Sequence, residues 1–181
     1  MSAAARSRRA WGWHRLTDDW AARVVADAGV RPGELVLDIG AGEGALTRPL
    51  IAAGARVVAV EPHPRRAAAL RRRFAGTDIT IIETDTALLR LPRRPYRVVA
   101  SPPYAISSPL LRRLLAPGTR LVAADLVLQR AVVRRYVSGA PPAARGCSAR
   151  GFELRAGRAV PRGAFRPPPR VDSAVLVIRR H

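Results

Sequence analysis

Between Leu35 and Tyr136 short apolar runs alternate with segments of helical spacing, and no other feature constrains the fold as tightly. Leu35-Val36-Leu37-Asp38-Ile39 is a buried-strand run closed by Gly40, with a helical stretch following to about residue 53. Arg56 to Val60 is a second strand, followed by a helix over Pro64–Phe74 with proline in its first turn. Ile79 to Glu83 reads as a third strand and Arg97 to Ala100 as a fourth, followed by a helix over Ser107–Leu115 with Ser107 as N-cap. Leu121 to Leu128 is a fifth strand leading into a helix near Gln129–Tyr136. Such alternation predicts an α/β fold: right-handed strand–helix–strand units, a mostly parallel central sheet and helices on both faces. Ser138 to Gly151 has no periodicity and reads as an exposed loop, and Asp172 to Ile178 as a strand that closes the sheet.

At 181 residues the chain suits one domain, and its 14 Gly, 16 Pro and 48% hydrophobic content exclude global disorder. A lone cysteine, Cys147, excludes an intramolecular disulfide and a cysteine-rich zinc module, and no metal site is expected. The basic excess bears most on partners. There are 32 basic residues against 13 acidic ones, giving a net charge of +19, and every basic residue is arginine. Codon bias in a GC-rich genome accounts for arginine over lysine, but not for basic over acidic. The excess predicts attraction to a polyanion, with nucleic acid first among candidates. No run of about 18 apolar residues suggests a membrane span, and Met1 to Leu16 lacks the apolar centre of a signal peptide, so a cytoplasmic location is expected. Residues 1–16, with Arg6, Arg8 and Arg9, read as a basic arm ahead of a single catalytic domain over 17–181.

Gly40-Ala41-Gly42-Glu43-Gly44 stands where the first strand turns into the first helix, the place where backbone N–H groups can face a ligand. Glu61 ends the second strand, where a carboxylate can accept two ribose hydroxyls, and Asp85, just past the third, could receive an adenine amino group. All three lie at carboxyl ends of strands, the ligand edge of open α/β sheets. Gly40, Gly42 and Ala45 also fit the dinucleotide pattern G-x-G-x-x-G/A, so a nicotinamide or flavin enzyme stays open at this point.

Ser101-Pro102-Pro103-Tyr104 follows the fourth strand directly. Two prolines stiffen the backbone, remove two N–H donors and leave carbonyl oxygens for the cleft. An exocyclic amine is a poor nucleophile, because its lone pair is delocalised into the ring. Acceptors holding its two hydrogens push the nitrogen towards tetrahedral geometry, and Tyr104 offers a face for a base drawn out of its helix.

These residues resemble the ribosomal RNA adenine N6-methyltransferases, the Erm and dimethyladenosine-transferase superfamily. The likeness rests on Leu35 to Thr47, Ser101 to Ser108, and Phe165-Arg166-Pro167-Pro168-Pro169-Arg170-Val171-Asp172-Ser173-Ala174-Val175, which is similar to the family signature F-x-P-x-P-x-V-x-S-A-V. Ser7 to Leu16 resembles the opening of short actinobacterial Erm-type enzymes. The resemblance implies a Rossmann-like methyltransferase fold using S-adenosyl-L-methionine, lacking the C-terminal helical domain of full-size relatives. It places His14 and Leu16 in the segment over the cofactor, Gly40 beside the methionine moiety, Gly42 at the turn, Glu61 on the ribose and Asp85 at the cofactor's adenine. Ser101 and Pro102 would hold the target amine, with Tyr104 and Phe165 sandwiching the base.

Ser101 stands where the family usually has asparagine, and Trp13-His14-Arg15 where many members have Gln-Asn-Phe. A serine offers one group where asparagine offers two, so activity is expected, with a reduced rate or a bias to monomethylation as the consequence to look for. RNA contacts would fall on the catalytic domain and its basic arm, with Arg65, Arg66, Arg71, Arg72, Arg73, Arg93, Arg94, Arg97, Arg112 and Arg113 as candidates. The implied activity is N6-methylation of an adenine in the peptidyl-transferase loop of 23S ribosomal RNA by a monomer. Resistance to macrolide, lincosamide and streptogramin drugs would follow. Dimethylation of 16S ribosomal RNA and a non-catalytic RNA-binding relative are the alternatives.

Overall fold

A computed structural model of the chain describes residues 14–139 and 151–181. The N-terminal arm through Trp13, and all but the ends of the Ser138–Gly151 stretch, lie outside the described residues. The elements in chain order are β1 (Arg15–Leu16), α1 (Asp18–Ala28), β2 (Leu35–Ile39), α2 (Thr47–Ala52), β3 (Arg56–Val60), α3 (Pro64–Arg73) and β4 (Ile79–Ile82). They continue with β5 (Tyr96–Ala100), α4 (Ser107–Leu114), β6 (Leu121–Gln129), α5 (Arg130–Val137), β7 (Phe152–Val160), β8 (Phe165–Arg166) and β9 (Ser173–Arg180).

Seven strands form one sheet in the order β4-β3-β2-β5-β6-β9-β7, and β1 pairs with β8 in a separate two-stranded ribbon. Strands β2 to β6 pair in parallel, while β9 runs antiparallel to both β6 and β7. The five parallel strands are those the apolar runs predict, within a residue or so at their ends. Successive side chains of a strand face opposite sides of a sheet. Val98 therefore joins Leu110, Leu111 and Leu114 of α4 in one core, and Val99 joins Val24 and Val25 of α1 in the other. Burial on both faces explains why these runs are continuously apolar rather than alternating.

Two expectations change, and one strand is new. The C-terminal strand does not close the sheet: β9 inserts between β6 and β7, and β7 forms the edge. β7 itself escapes a reading by apolar pattern. It carries Arg155, Gly157 and Arg158, most of its side chains face solvent, and its register shifts between Ala156 and Ala159. A side chain at Gly157 would bring Cβ within 2.8 Å of Val177 Cγ2, so the edge strand crosses β9 too closely for anything larger. Ser107 is not the N-cap of α4 but its first residue, and it is buried.

Helix α1 lies outside the predicted elements, although its signals are present in the sequence. Asp18 and Asp19 complement the N-terminal dipole, and Ala21, Val24, Val25 and Ala28 bury one helical stripe. Gly29, left-handed at φ 60°, ends it by donating its N–H to the Ala26 carbonyl.

Candidate active site

The cofactor side of the site is made largely by one stretch of chain, from Leu35 to His63. β2 ends in Gly40, whose φ of +77° belongs to the region side chains avoid. Its N–H and that of Ala41 both donate to the Val60 carbonyl, at 2.8 and 3.1 Å, so the turn is fastened to the end of β3. A Cβ on Gly40 would sit 3.1 Å from Pro103 Cδ and 3.4 Å from Pro102 Cα. Glycine here lets the turn after β2 and the proline loop after β5 approach each other.

Glu61, 3% exposed, holds the same turn from below. One carboxylate oxygen accepts the Gly42 N–H and the other the His63 N–H, each at 2.9 Å, and the Arg66 guanidinium lies 3.9 Å away. A carboxylate oxygen has lone pairs for a second donor, so Glu61 can shape the loop and still accept from a ligand. Asp38, the one charged residue of β2, is buried and accepts the Thr47 hydroxyl at 2.6 Å. Burial raises its carboxyl to about 7, against the hydrogen bond from Thr47, which lowers it. The sequence reading passed over Asp38, yet a carboxylate inside an otherwise apolar buried strand was the available signal.

A cleft opens above this turn, lined among others by His14, Leu16, Asp38, Gly40, Glu43 and Ser101. Four of the expected residues thus meet there, with Gly42 and Glu61 tied to its floor by their hydrogen bond. Asp85 does not line it: Asp85 is exposed on the loop after β4 and accepts the Ala87 N–H at 2.7 Å.

The opposite side is assembled from distant segments. Pro103 gives its carbonyl to the Ile106 N–H at 3.0 Å, turning Tyr104–Ile106 into one turn of 3-10 helix. The Tyr104 hydroxyl meets Ser173 Oγ, at the start of β9, at 2.6 Å, and partial burial raises the phenol above its ordinary value. In the β1–β8 ribbon Leu16 stands opposite Phe165 and Arg15 opposite Arg166. This pairing brings His14 beside both aromatics, its ring centroid 5.9 Å from Tyr104 and 6.5 Å, edge-on, from Phe165. His14 Nδ1 lies 2.8 Å from the Pro167 carbonyl. A carbonyl can only accept, so Nδ1 carries the proton, and in the neutral ring Nε2 keeps its lone pair. Phe165 is 1% exposed and backs this group rather than presenting an open face.

Two of the arginines taken as RNA contacts are committed to the fold. Arg97 donates to Glu34 at 3.0 Å and to the Ala28 carbonyl, and Arg113 donates to the Thr86 and Leu89 carbonyls. Among the described residues no cluster of three or more His, Cys, Asp or Glu could hold a metal ion, and no helix is long and apolar enough to cross a membrane.

A parallel sheet with one reversed strand beside its edge, and a glycine turn tied to an acid on the neighbouring strand, defines the Rossmann-like class of S-adenosylmethionine-dependent methyltransferases. Within that class the ribosomal RNA adenine dimethylase family matches residues 5–181. The chain belongs to this family of Erm-type rRNA adenine N6-methyltransferases. It is 38% identical over 189 residues to ribosomal RNA small subunit methyltransferase A of Thermosynechococcus vestitus, covering 97% of this chain and 71% of that protein. It is 36% identical over 159 residues to the mycinamicin-resistance protein MyrB of Micromonospora griseorubida, covering 88% of this chain and half of that one. The crystal structure of 23S rRNA methyltransferase ErmE superposes with a TM-score of 0.78 at 31% identity, over 92% of this chain and 69% of its own.

Proposed function

We propose that the chain transfers a methyl group from S-adenosylmethionine to N6 of an adenine in the peptidyl-transferase loop of 23S ribosomal RNA. Drug resistance of the macrolide, lincosamide and streptogramin type follows from that target. The observation that carries this reading is the junction at Gly40, where the turn beside the cofactor cleft packs directly on the Ser101–Tyr104 loop. Donor and acceptor are thereby held at one point.

The cleft suits the cofactor by its chemistry. S-Adenosylmethionine supplies, when bound, an electrophilic methyl group on a positively charged sulfur. Asp38 and Glu43 bring carboxylates to a cleft that must accommodate positive charge, and Gly40, Ala41 and Ala45 leave its wall open to backbone contact. Glu61 would accept the ribose hydroxyls while keeping Gly42 in place, and Asp85 would meet the adenine from its exposed loop. His14 and Leu16 form the cover, fastened by the β1–β8 ribbon. Residues 1–16 accordingly act as arm and cover, and 17–181 as the catalytic domain.

On the acceptor side, the Ser101 hydroxyl oxygen and the Pro102 carbonyl accept from the two N–H groups of the adenine amine and aim its lone pair. Tyr104 stacks on the base. Phe165 takes the other face only after the His14 segment shifts, since it is covered here. Rate enhancement then comes from positioning and fixed electrostatics rather than a covalent intermediate, and the N6 proton leaves to solvent after transfer. The basic surface holds the RNA, and the enzyme works as a cytoplasmic monomer.

The opening Ser7 to Leu16 and the likeness to the 23S rRNA methyltransferase ErmE support 23S as the target, and the likeness to a mycinamicin-resistance protein supports the drug resistance. The 38% identity to a small-subunit methyltransferase favours a second reading, dimethylation of 16S rRNA. Calorimetry with the cofactor, then methyl incorporation into separately purified 16S and 23S rRNA, distinguishes them. Incorporation confined to 23S is expected; incorporation confined to 16S selects the second reading, and cofactor binding with none in either marks a non-catalytic relative.

A further inference from the structure

We infer that Ser173 is a positioning residue for methyl transfer, tethering the far end of the Tyr104 ring where the target base stacks. This rests on the reading of Tyr104 as the stacking face. Tyr104 leaves the sheet on a short loop and a single turn of 3-10 helix, and the one hydrogen bond on its side chain reaches across to β9. Ser173 is 1% exposed and fixed by strand pairing on both sides, opposite Gln129 of β6 and Val160 of β7. The anchor is therefore a buried residue of a strand paired on both sides, while the ring is half-buried. A 2.6 Å contact between hydroxyls pins the far end of the ring and so fixes the direction of its long axis.

The same C-terminal stretch restrains the other side of Tyr104. His14, its ring tilted 31° to that of the tyrosine, is held by the Pro167 carbonyl, six residues before Ser173. Phe165, Pro167 and Ser173 thus act as one template on which the acceptor side is built. The need for such a template follows from Ser101. With one hydroxyl in place of a carboxamide, the amine is gripped more loosely, and a larger share of the base's orientation falls to the ring beneath it. Misplacement of about 1 Å can cost on the order of a hundredfold in rate, so a ring whose far end can swing slows transfer even when the base still binds.

The test is steady-state methyl transfer to deproteinised total rRNA by the full chain and four variants, Ser173→Ala, Ser173→Thr, Tyr104→Phe and Tyr104→Ala, with Ser173→Ala/Tyr104→Phe as the double. Loss of the tether should lower kcat about tenfold in Ser173→Ala and in Tyr104→Phe, with the KM for cofactor within about twofold of wild type. The double variant should be no slower than either single one, because both remove the same contact. Ser173→Thr, which keeps the hydroxyl, should restore most of kcat. Wild-type kcat in Ser173→Ala and Tyr104→Phe, or losses that multiply in the double variant, overturns the inference. Tyr104→Ala separates the two layers. If it turns over normally, the stacking role itself is wrong; if it alone is inactive, the stacking role stands and the tether does not.

Discussion

The two sides of the cleft are built on different principles. The cofactor side is a contiguous strand–turn–helix–strand whose parts clamp one another: Gly40 and Ala41 bond to Val60, and Gly42 and His63 to Glu61. The acceptor side gathers His14, Tyr104, Phe165 and Ser173, and its contacts span 153 residues from His14 to Pro167 and 69 from Tyr104 to Ser173. The first side is held mainly by hydrogen bonds between neighbouring strands and turns. The second exists only when the last strand has entered the sheet between β6 and β7. If the proposed roles hold, the donor site rests on local hydrogen bonds and the acceptor site on tertiary packing.

Salt should separate the sides most strongly. A surface that neutralises 6–10 phosphates loses about 10³–10⁵ in RNA affinity between 50 and 200 mM salt, because condensed counterions are released on binding. Cofactor affinity should change by no more than a few-fold over the same range. Filter binding for RNA and calorimetry for the cofactor check this, and a flat RNA response would remove the electrostatic basis of the acceptor side.

Glu61→Ala should damage the donor side next most. It removes the acceptor of two backbone N–H groups, each bond to a charged group being worth about 1.5–3 kcal/mol. Cofactor affinity should fall by about a hundredfold, with RNA affinity unchanged, as read by the same two methods. Equal losses in both would mean that the two sides are not independent.

Asp38 gives a pH-dependent version of the contrast. Burial holds its carboxyl at about 7 against an ordinary 3.8, so the folded chain keeps a proton that the unfolded chain releases. The stability this contributes is complete below the unfolded value and is lost as pH rises through 7. Asp38→Asn, which cannot ionise, should therefore show a Tm that falls less than that of wild type between pH 5 and 8. Thermal melts across that range read the difference, about one proton at most.

Ser101→Asn should have the smallest effect, and on the acceptor side alone. Methyl incorporation should be retained or rise a few-fold, with cofactor binding unchanged. A total loss would sink the role given to Ser101.

The same division explains what could be read without coordinates. Gly40, Gly42 and Glu61 were legible because strand, glycine turn and acid follow one another closely in sequence, and the five parallel strands because burial on both faces makes their runs apolar. β7 was not, since an edge strand rich in arginine with Gly157 at its centre has neither an apolar run nor clean alternation. Ser173 appeared only as a letter in a signature: nothing local reveals that its hydroxyl meets a tyrosine 69 residues earlier. Arg97 and Arg113 read as free positive charge because their carbonyl and carboxylate partners lie on other elements. The +19 charge remains the attraction for RNA, but not every arginine is available to supply it.

The destination of the methyl group decides between the two ribosomal targets. Mapping N6-methylated adenines by mass spectrometry in rRNA from cells with and without this chain tests that directly. The account predicts a new methylated adenine in the peptidyl-transferase loop of 23S rRNA, present only with the chain and absent with Tyr104→Ala. New methylation confined to 16S rRNA, or identical maps in both cells, would contradict it.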